Sequence, residues 1–502
     1  MSSVGLALAV DLGTGAVKAA VFEPGLAKPL ALSSTPYLVP ADPAHPERAQ
    51  VDTAAWRSAA AAAIVSLPAS LRRSVAAIGL TGLFPALVPL DADGSALAPA
   101  ILYCDRRSVA QVERLRADRT AQLIERIGGS VLTCGTTSLT SWLWLREHEP
   151  EIAQAARWYG HASTLMGAWL TGEVAMDRSN AAMSGLLDSA GGEWSAEVAD
   201  AVRVDLALLP RLVSGVEPVG RLLPEAAGEL GLPTGTPVAL TGGDTAAAAV
   251  GAACLEPGQC FISSGTTDTI CLCLNRYGFD PRLFSTVHPL PRRWLSMAPT
   301  TYTGGSVEWA ARLLYGDPAV APLLADAEVV PVGAGGLVFV PYLMGERSPV
   351  NDPLARGVLA GMTPETERRH VARAVIDGSS LAIRSCVDAL AEANGTRPES
   401  ITIVGRPASS ALLNRSRAAA CGVPVRALAF EEGTLLGAAA CGAVAGGLVR
   451  ATDEVTEPFV ATADTVEPDL SEAEAYDRLY PLYRDTYRCL AGAGLFARLG
   501  QV

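Results

Sequence analysis

Runs of apolar residues at the start of the chain predict a set of neighbouring strands. Residues 6–10 and 17–22 are apolar enough for buried strands, residues 30–37 form a third candidate, and residues 75–80 form a fourth. Only six residues separate the first two runs, and these include two glycines, which predicts a tight hairpin. The chain is therefore expected to open with a partly antiparallel sheet.

Helical periodicity interrupts these strands. Asp52 is a good N-cap for a helix over residues 54–66, which Pro68 would end. Residues 105–127 are charged and periodic, which predicts one further helix. The order of strand, strand, strand, helix and strand is typical of a mixed α/β domain.

The second half of the chain begins in the same way. Another Gly/Thr turn lies between apolar runs at residues 260–264 and 269–274, and further strands are expected near 294–297 and 337–340. Long helices are expected over residues 368–394 and 431–446. Residues 214–240 contain four prolines among glycines, which suits a crossing between halves. The repeated opening indicates duplication of a ribonuclease-H-like unit.

Composition narrows the function classes. A chain of 502 residues should divide into at least two domains. The net charge of −13 argues against nucleic acid or an anionic membrane as a partner. No signal peptide is evident, and the small residues of 434–449 predict a tightly packed buried helix rather than a membrane span. The ten cysteines lack metal spacing, so we expect reduced thiols and a cytoplasmic location.

Two Gly/Thr turns carry the first chemical signal. The first hairpin contains Asp11, Gly13, Thr14 and Gly15, and the second contains Ser264-Gly265-Thr266-Thr267. Glycines let backbone amides approach an anion closely, and hydroxyls add donors, so two facing hairpins could clamp a polyphosphate. Asp11 would repel such a ligand unless Mg²⁺ lay between them, although an Asp in a turn can also simply accept turn hydrogen bonds.

Gly242-Gly243-Asp244 carries the second signal, because it precedes an alanine-rich helix over residues 246–252. Asp244 could be a helix N-cap, which is a common use of Asp. The two glycines also open space against a ligand, where the carboxylate could accept the proton of a substrate hydroxyl during phosphoryl transfer. The two hairpins favour the second interpretation.

In combination these motifs resemble the FGGY family of carbohydrate kinases, within the sugar kinase/actin/Hsp70 ATPase superfamily. The segments that carry the resemblance occur in family order: the Asp11 hairpin, Gly242-Gly243-Asp244, Ser264-Gly265-Thr266-Thr267, Gly304-Gly305-Ser306-Val307-Glu308-Trp309, Pro341 to Gly357, and Gly422-Val423-Pro424-Val425. The resemblance implies an α/β fold of two ribonuclease-H-like, actin-like ATPase domains, residues 1–244 and 245–502, with a catalytic cleft between them.

The resemblance also implies roles for individual residues, with ATP and Mg²⁺ as cofactors. Asp11 would hold Mg²⁺, and Asp244 would be the general base beside the sugar. The residues implied to contact the nucleotide and its phosphates are Gly13, Thr14, Gly265, Thr266, Thr267, Gly304, Glu308 and Gly405. Those implied to face the sugar are Phe84, Pro85 and Asp105 together with Asp244.

Three departures from the family pattern bear on the substrate. Phe84-Pro85 stands where xylulokinases carry Met-His, Arg406-Pro407 interrupts a glycine stretch near the adenine, and Ser163-Thr164 replaces Lys-Asp. The resemblance implies a kinase for a small ketose, foremost a pentulose such as xylulose, with a gluconate, ribulose or other polyol kinase as the alternative within the family. A non-catalytic actin-like ATPase or sugar sensor is the alternative from another class. A small-molecule substrate is expected, without nucleic acid or membrane, and a homodimer is compatible with the resemblance.

Overall fold

The computed structural model describes residues 5–501 and confirms a mixed α/β fold. In the first half the strands are β1 (Leu6–Leu12), β2 (Ala16–Phe22), β3 (Ala31–Pro36), β4 (Gln50–Val51), β5 (Val75–Gly82), β6 (Ala86–Leu90), β7 (Ala100–Leu102), β8 (Trp158–Gly160), β9 (Ala175–Asp177), β10 (Leu187–Asp188), β11 (Glu193–Trp194), β12 (Arg211–Val213), β13 (Pro218–Arg221) and β14 (Pro237–Gly243). The helices there are α1 (Thr53–Ser66), α2 (Ala69–Arg72), α3 (Val109–Ala117), α4 (Thr120–Gly128), α5 (Ser138–His148), α6 (Pro150–Ala155), α7 (Ala162–Thr171), α8 (Arg178–Ala182), α9 (Ala196–Val202) and α10 (Pro224–Leu230).

The second half adds a further set of strands and helices. Its strands are β15 (Cys260–Ser264), β16 (Asp268–Leu274), β17 (Phe284–Val287), β18 (Trp294–Pro299), β19 (Val338–Val340), β20 (Val358–Ala360), β21 (Ile401–Val404), β22 (Val425–Ala427) and β23 (Asp464–Val466). Its helices are α11 (Asp244–Gly251), α12 (Thr303–Tyr315), α13 (Ala321–Glu328), α14 (Arg368–Asn394), α15 (Ala411–Cys421), α16 (Gly433–Ala445), α17 (Asp453–Val460), α18 (Leu470–Gly492) and α19 (Leu495–Leu499).

The two main sheets, of six and seven strands, share one pattern of strand pairing at their centres. The first has the order β13-β14-β5-β1-β2-β3, and the second has the order β17-β18-β16-β15-β21-β22-β23. In each sheet the opening strand pairs antiparallel with the return of its hairpin and parallel with a later strand, as β1 does with β2 and β5, and β15 with β16 and β21. The shared pairing extends the repeat far beyond the two hairpins. The division at residues 244 and 245 stays a prediction.

Helices α11 and α16 pack against each other between the two sheets, where small residues let their backbones meet. A Cβ on Gly437 would lie 1.8 Å from the Ala247 carbonyl oxygen, and one on Gly251 would lie 1.9 Å from the Gly433 carbonyl oxygen. This confirms the predicted tightly packed buried helix over residues 434–445, whereas residues 446–449 lie beyond its end. Within residues 5–501, no helix is long and apolar enough to cross a membrane. Through this packing α11 belongs to a hydrophobic core that is lined by strands of both main sheets.

Two sequence predictions about local structure are wrong. The helix expected over residues 105–127 is two helices, α3 and α4, because Arg119 adopts a left-handed conformation with φ of 66° and ends the first one. The stretch 214–240 is not a crossing, since β13 and β14 add two strands to the first sheet. The Asp52 cap is confirmed, with its Oδ1 accepting from the Ala54 amide at 2.9 Å.

Candidate active site

The first hairpin is held by two hydrogen bonds that leave its tip open. The Gly13 amide donates to the Ala16 carbonyl at 3.0 Å, and the Tyr37 hydroxyl donates to the Gly13 carbonyl. Thr14 and Gly15 are exposed at the turn. The exposed Thr14 and Gly15 could present the Thr14 hydroxyl and their amides to a ligand, whereas the Gly13 amide is already bonded to Ala16. Contacts of Gly13 and Thr14 with phosphate stay predictions.

Asp11 lies at the end of β1, directly behind this tip, and only 8% of it is exposed. Its Oδ1 is buried without a hydrogen-bond partner among the described residues. Burial, together with the nearby Asp244, raises the pKa of Asp11 to about 7 against the opposing effect of Lys18. Lys18 itself is paired with Glu432 at 2.6 Å, so its charge is largely committed. The negative charge of Asp11 thus lacks full compensation.

The buried carboxylate of Asp11 suits Mg²⁺ as a ligand. A buried carboxylate oxygen with no partner is ready for a cation, and Mg²⁺ typically takes one or two carboxylates, with phosphate and water completing the shell. Within residues 5–501 there is no cluster of three or more His, Cys, Asp or Glu that could hold a metal by itself. Any magnesium held at Asp11 would therefore need phosphate oxygens as further ligands.

Asp244 is the first residue of α11, and Gly243 occupies the N-cap position, so the N-cap interpretation of Asp244 is wrong. Its Oδ1 accepts from the amide and the hydroxyl of Thr245, whereas Oδ2 has no hydrogen-bond partner among residues 5–501. Burial raises the pKa of Asp244 above its usual value despite these bonds. One carboxylate oxygen is oriented by the helix start and the other is left to accept a proton.

Phe84 lies directly against Gly243, the residue before Asp244. A Cβ on Gly243 would come within 2.2 Å of the Phe84 ring, so only glycine leaves room for the ring there. The Leu83 amide donates to the Leu12 carbonyl at 2.8 Å, which keeps this segment next to the first hairpin. Pro85 is buried behind Phe84. The structure thus brings Phe84, Asp244 and Asp11 together from three separate parts of the chain.

The second hairpin rests on two glycines that are distant in sequence. A Cβ on Gly304 would lie 1.8 Å from the Gly265 carbonyl oxygen, and one on Gly405 would lie 2.1 Å from the Ser264 carbonyl oxygen. Gly405 also has φ of 104°, a conformation that favours glycine. Both glycines therefore support the hairpin backbone, and Gly265 and Thr266 stay exposed at its tip.

A buried ion pair under this hairpin was missed by sequence reasoning. Arg417 of α15 donates to the Ser264 hydroxyl at 3.0 Å and lies 3.7 Å from Asp268 Oδ1. The Ser264 hydroxyl donates in turn to Asp268 Oδ1. Burial raises the pKa of Asp268 and Arg417 lowers it. The group orients both ends of the turn, and no local pattern links Arg417 to residues about 150 positions earlier.

Tyr103, rather than Asp105, lies within electrostatic reach of Asp244. Asp105 is fully buried, and its oxygens accept from the Ala49 amide at 2.7 Å and from the Arg107 side chain at 2.9 Å. Burial is the largest cause of a raised pKa at Tyr103, Asp244 adds to it, and the Thr14 hydroxyl opposes it. Asp105 therefore stabilises its own loop in this structure, and direct sugar contact by Asp105 stays a prediction.

Glu308 and Arg406 meet beside the second hairpin. Arg406, one of the departures from the family pattern, lies 3.8 Å from the Glu308 carboxylate, and both side chains are largely exposed. An exposed pair at this distance contributes little stability, so a ligand could displace it readily. The roles of Glu308 and Gly405 toward a nucleotide stay predictions.

The geometry of this cleft agrees with comparisons to known proteins. Residues 6–251 match the N-terminal domain of the FGGY family of carbohydrate kinases, and residues 260–446 match its C-terminal domain. Xylulose kinase of Escherichia coli strain K12 is 31% identical over 96% of this chain and 99% of its own length, and xylulose kinase of Bacillus subtilis strain 168 is 29% identical over 96% of both. The crystal structure of xylulose kinase from Rhodospirillum rubrum has a TM-score of 0.89 and 30% identity, and it covers 98% of this chain and 100% of that chain. The similarity therefore includes both sheets and the cleft between them.

Proposed function

The chain belongs to the FGGY family of carbohydrate kinases, and we propose that it transfers the γ-phosphate of ATP to a hydroxyl of a pentulose such as xylulose. Family membership makes it a phosphotransferase that acts on a sugar, with ATP as the donor that the family implies. The choice of a pentulose is supported by relatives named xylulose kinase that match it over nearly their whole length. A gluconate, ribulose or other polyol kinase is the alternative within the family.

The observation that carries the proposal is the placement of Asp244. Its free Oδ2 lies at the start of α11, next to Phe84 and close enough to Asp11 to raise the pKa of that residue. As general base, Asp244 accepts the proton of the sugar hydroxyl while the oxygen of that hydroxyl attacks the γ-phosphorus. A non-catalytic ATPase or sugar sensor would have no need for a base beside the acceptor.

The two hairpins position the donor. The hydroxyls of Thr14 on one side and of Thr266 and Thr267 on the other would donate to the phosphate oxygens, and Gly13 and Gly265 would let the hairpin backbones approach them closely. Asp11 would hold Mg²⁺ through its unpartnered Oδ1. When bound there, Mg²⁺ would offset the negative charge of the phosphate oxygens and of Asp11. Asp11 would hold the metal next to the path of phosphoryl transfer and would take no part in the proton transfer.

The sugar side of the cleft is partly apolar. Phe84 contacts the Gly243 backbone directly, so the end of the acceptor near Asp244 would be held by shape more than by hydrogen bonds. A pocket without polar donors discriminates poorly between acceptors that differ there by one hydroxyl. We therefore expect xylulose to be accepted together with related ketoses.

A panel of acceptors tests the proposal. ADP release is followed by a coupled assay with D-xylulose, L-xylulose, D-ribulose, L-ribulose, gluconate and glycerol, and the Asp244→Asn variant serves as the control for catalysis at this site. We expect turnover with pentuloses, xylulose included, that the variant loses. Turnover confined to gluconate or glycerol would overturn the pentulose assignment, and ATP hydrolysis that no acceptor stimulates would overturn the kinase.

A cytoplasmic location is also part of the proposal. All ten cysteines are free thiols, and seven of them are buried, including Cys271 and Cys273 on one face of β16. Ten unpaired thiols suit a reducing compartment. A homodimer stays a prediction.

A further inference from the structure

Arg347 is a second-half residue whose side chain is anchored next to the second hairpin. It lies in the connection between β19 and β20, and its guanidinium Nη2 donates to the Thr300 carbonyl. Its own amide donates to the Thr301 hydroxyl at 3.0 Å. Backbone and side chain are thus both tied to the two residues that follow β18.

Those two residues belong to a segment that is bonded to the second hairpin. The Thr300 amide donates to the Asp268 carbonyl at 2.8 Å, and the Asp268 amide donates to the Thr300 hydroxyl at 3.1 Å. A few residues later the Gly305 amide donates to the Thr266 carbonyl at 2.9 Å. The position of the guanidinium is therefore fixed relative to the turn that is proposed to hold phosphates.

The charge of Arg347 is not matched by a carboxylate. Among residues 5–501, no acidic group lies within salt-bridge distance of its guanidinium. Arg347 is also exposed to solvent. Its neighbour Glu346 is turned inward, where one oxygen accepts from the amides of Thr301 at 2.6 Å and of Arg347 at 2.8 Å. Lys18, the cation near Asp11, is already paired with Glu432. Arg347 is thus a cation near the second hairpin that a ligand could engage without breaking an ion pair.

Arg347 and Tyr103 of the first half also influence each other electrostatically. Burial raises the pKa of Tyr103, Asp244 adds to the rise, and Arg347 lowers it. The same tyrosine acts on Arg347, whose pKa is lowered by desolvation and raised by Glu346 and then by Tyr103. Tyr103 therefore lies within electrostatic reach of both Asp244 and Arg347.

We propose that Arg347 is a further catalytic residue, whose guanidinium binds the oxygens of the phosphoryl group during transfer. This inference rests on the proposed kinase function. A guanidinium presents paired N–H donors that match two phosphate oxygens. In the step, the sugar oxygen bonds to the γ-phosphorus, the bond to the β–γ bridging oxygen breaks, the proton passes to Asp244, and ADP leaves. Arg347 donates hydrogen bonds to the oxygens that carry negative charge throughout.

Three variants test this role: Arg347→Ala, Arg347→Lys and, as a matched control, Arg312→Ala. Arg312 is an exposed arginine of the same half, on α12, and has no salt-bridge partner among the described residues. We expect Arg347→Ala to lower kcat by about 10²–10³-fold, the effect of losing one donor to a developing charge, while KM for the sugar changes less than about threefold. Arg347→Lys should retain more activity because it keeps the charge but not the paired donors. Arg312→Ala should behave as wild type.

Chemical rescue separates catalysis from folding. Millimolar guanidinium ion should restore part of the kcat of Arg347→Ala and leave wild type and Arg312→Ala unchanged, which a structural role would not produce. An unchanged kcat, a loss confined to KM for the sugar, or a lowered Tm without rescue would each overturn the proposal. If wild type phosphorylates no acceptor, the kinase function fails by itself. In that case the role of Arg347 is tested by ATP hydrolysis without sugar, and equal rates in wild type and Arg347→Ala would overturn the proposed role.

Discussion

Glu346 should make the stability of this protein fall as the pH rises toward neutrality. It is a buried glutamate, 4% exposed, and burial raises its pKa from 4.5 to about 7, although amides of Thr301 and Arg347 donate to it. The folded state therefore binds the proton of Glu346 more tightly than the unfolded state does. Its stabilising contribution is complete below about pH 4.5 and is lost as the pH rises through about 7.

The magnitude follows from that rise in pKa. From 4.5 to about 7, at about 1.4 kcal/mol for each pKa unit, the free energy of unfolding changes by about 3 kcal/mol. Glu346→Gln keeps an oxygen that accepts from both amides but cannot ionise. The stability of the variant relative to wild type should therefore rise by up to about 3 kcal/mol between pH 5 and pH 8.

Urea denaturation followed by tryptophan fluorescence, at intervals from pH 5 to 8, measures this difference. Other carboxylates titrate alike in both proteins, so their contributions cancel when the curves are subtracted. Glu399→Gln, at an exposed position, is the matched control and should give a flat difference. A difference between Glu346→Gln and wild type that does not change with pH would refute the reasoning.

Three further predictions concern the cleft. Asp244→Asn should lower kcat by about 10²–10⁴-fold while calorimetry still detects sugar binding, and near-normal turnover would remove Asp244 from catalysis. Gly405→Ala should raise KM for ATP, because φ of 104° costs about 1–3 kcal/mol for alanine and its Cβ would lie 2.1 Å from the Ser264 carbonyl oxygen. The control is Gly395→Ala, where φ is also positive but a Cβ would meet nothing within 4 Å. Equal KM values for ATP in the two variants would contradict the support of the second hairpin by Gly405. Because Phe84 lines the acceptor side, kcat/KM should differ by less than about 10³-fold among the pentuloses, and a single sugar preferred by more than that would show polar readout that Phe84 does not supply.

Local sequence patterns predicted most elements whose structure depends on near neighbours. The strands β1 and β2, the Asp52 cap of α1, and the bounds of α14 follow from apolar runs, capping residues and helical periodicity. The two hairpins, Asp11 and Asp244 were recognisable because glycine and carboxylate occur there within a few residues of each other. Patterns also misled, as at residues 105–127, where one left-handed residue divides a periodic stretch into two helices.

By itself, then, the sequence determined the family, the paired hairpins and the carboxylates of the cleft. Tertiary structure decided which distant segments meet there: Phe84 against Gly243, Arg417 under the second hairpin, Gly304 and Gly405 against its backbone, and Arg347 on Thr300. The tertiary structure also decided that Tyr103, and not Asp105, lies within electrostatic reach of Asp244. The carboxylate of the buried Asp105 instead accepts a hydrogen bond from Arg107. The physical reason is that contacts between segments far apart in the chain depend on how the two sheets pack around α11 and α16, and no local periodicity records that packing.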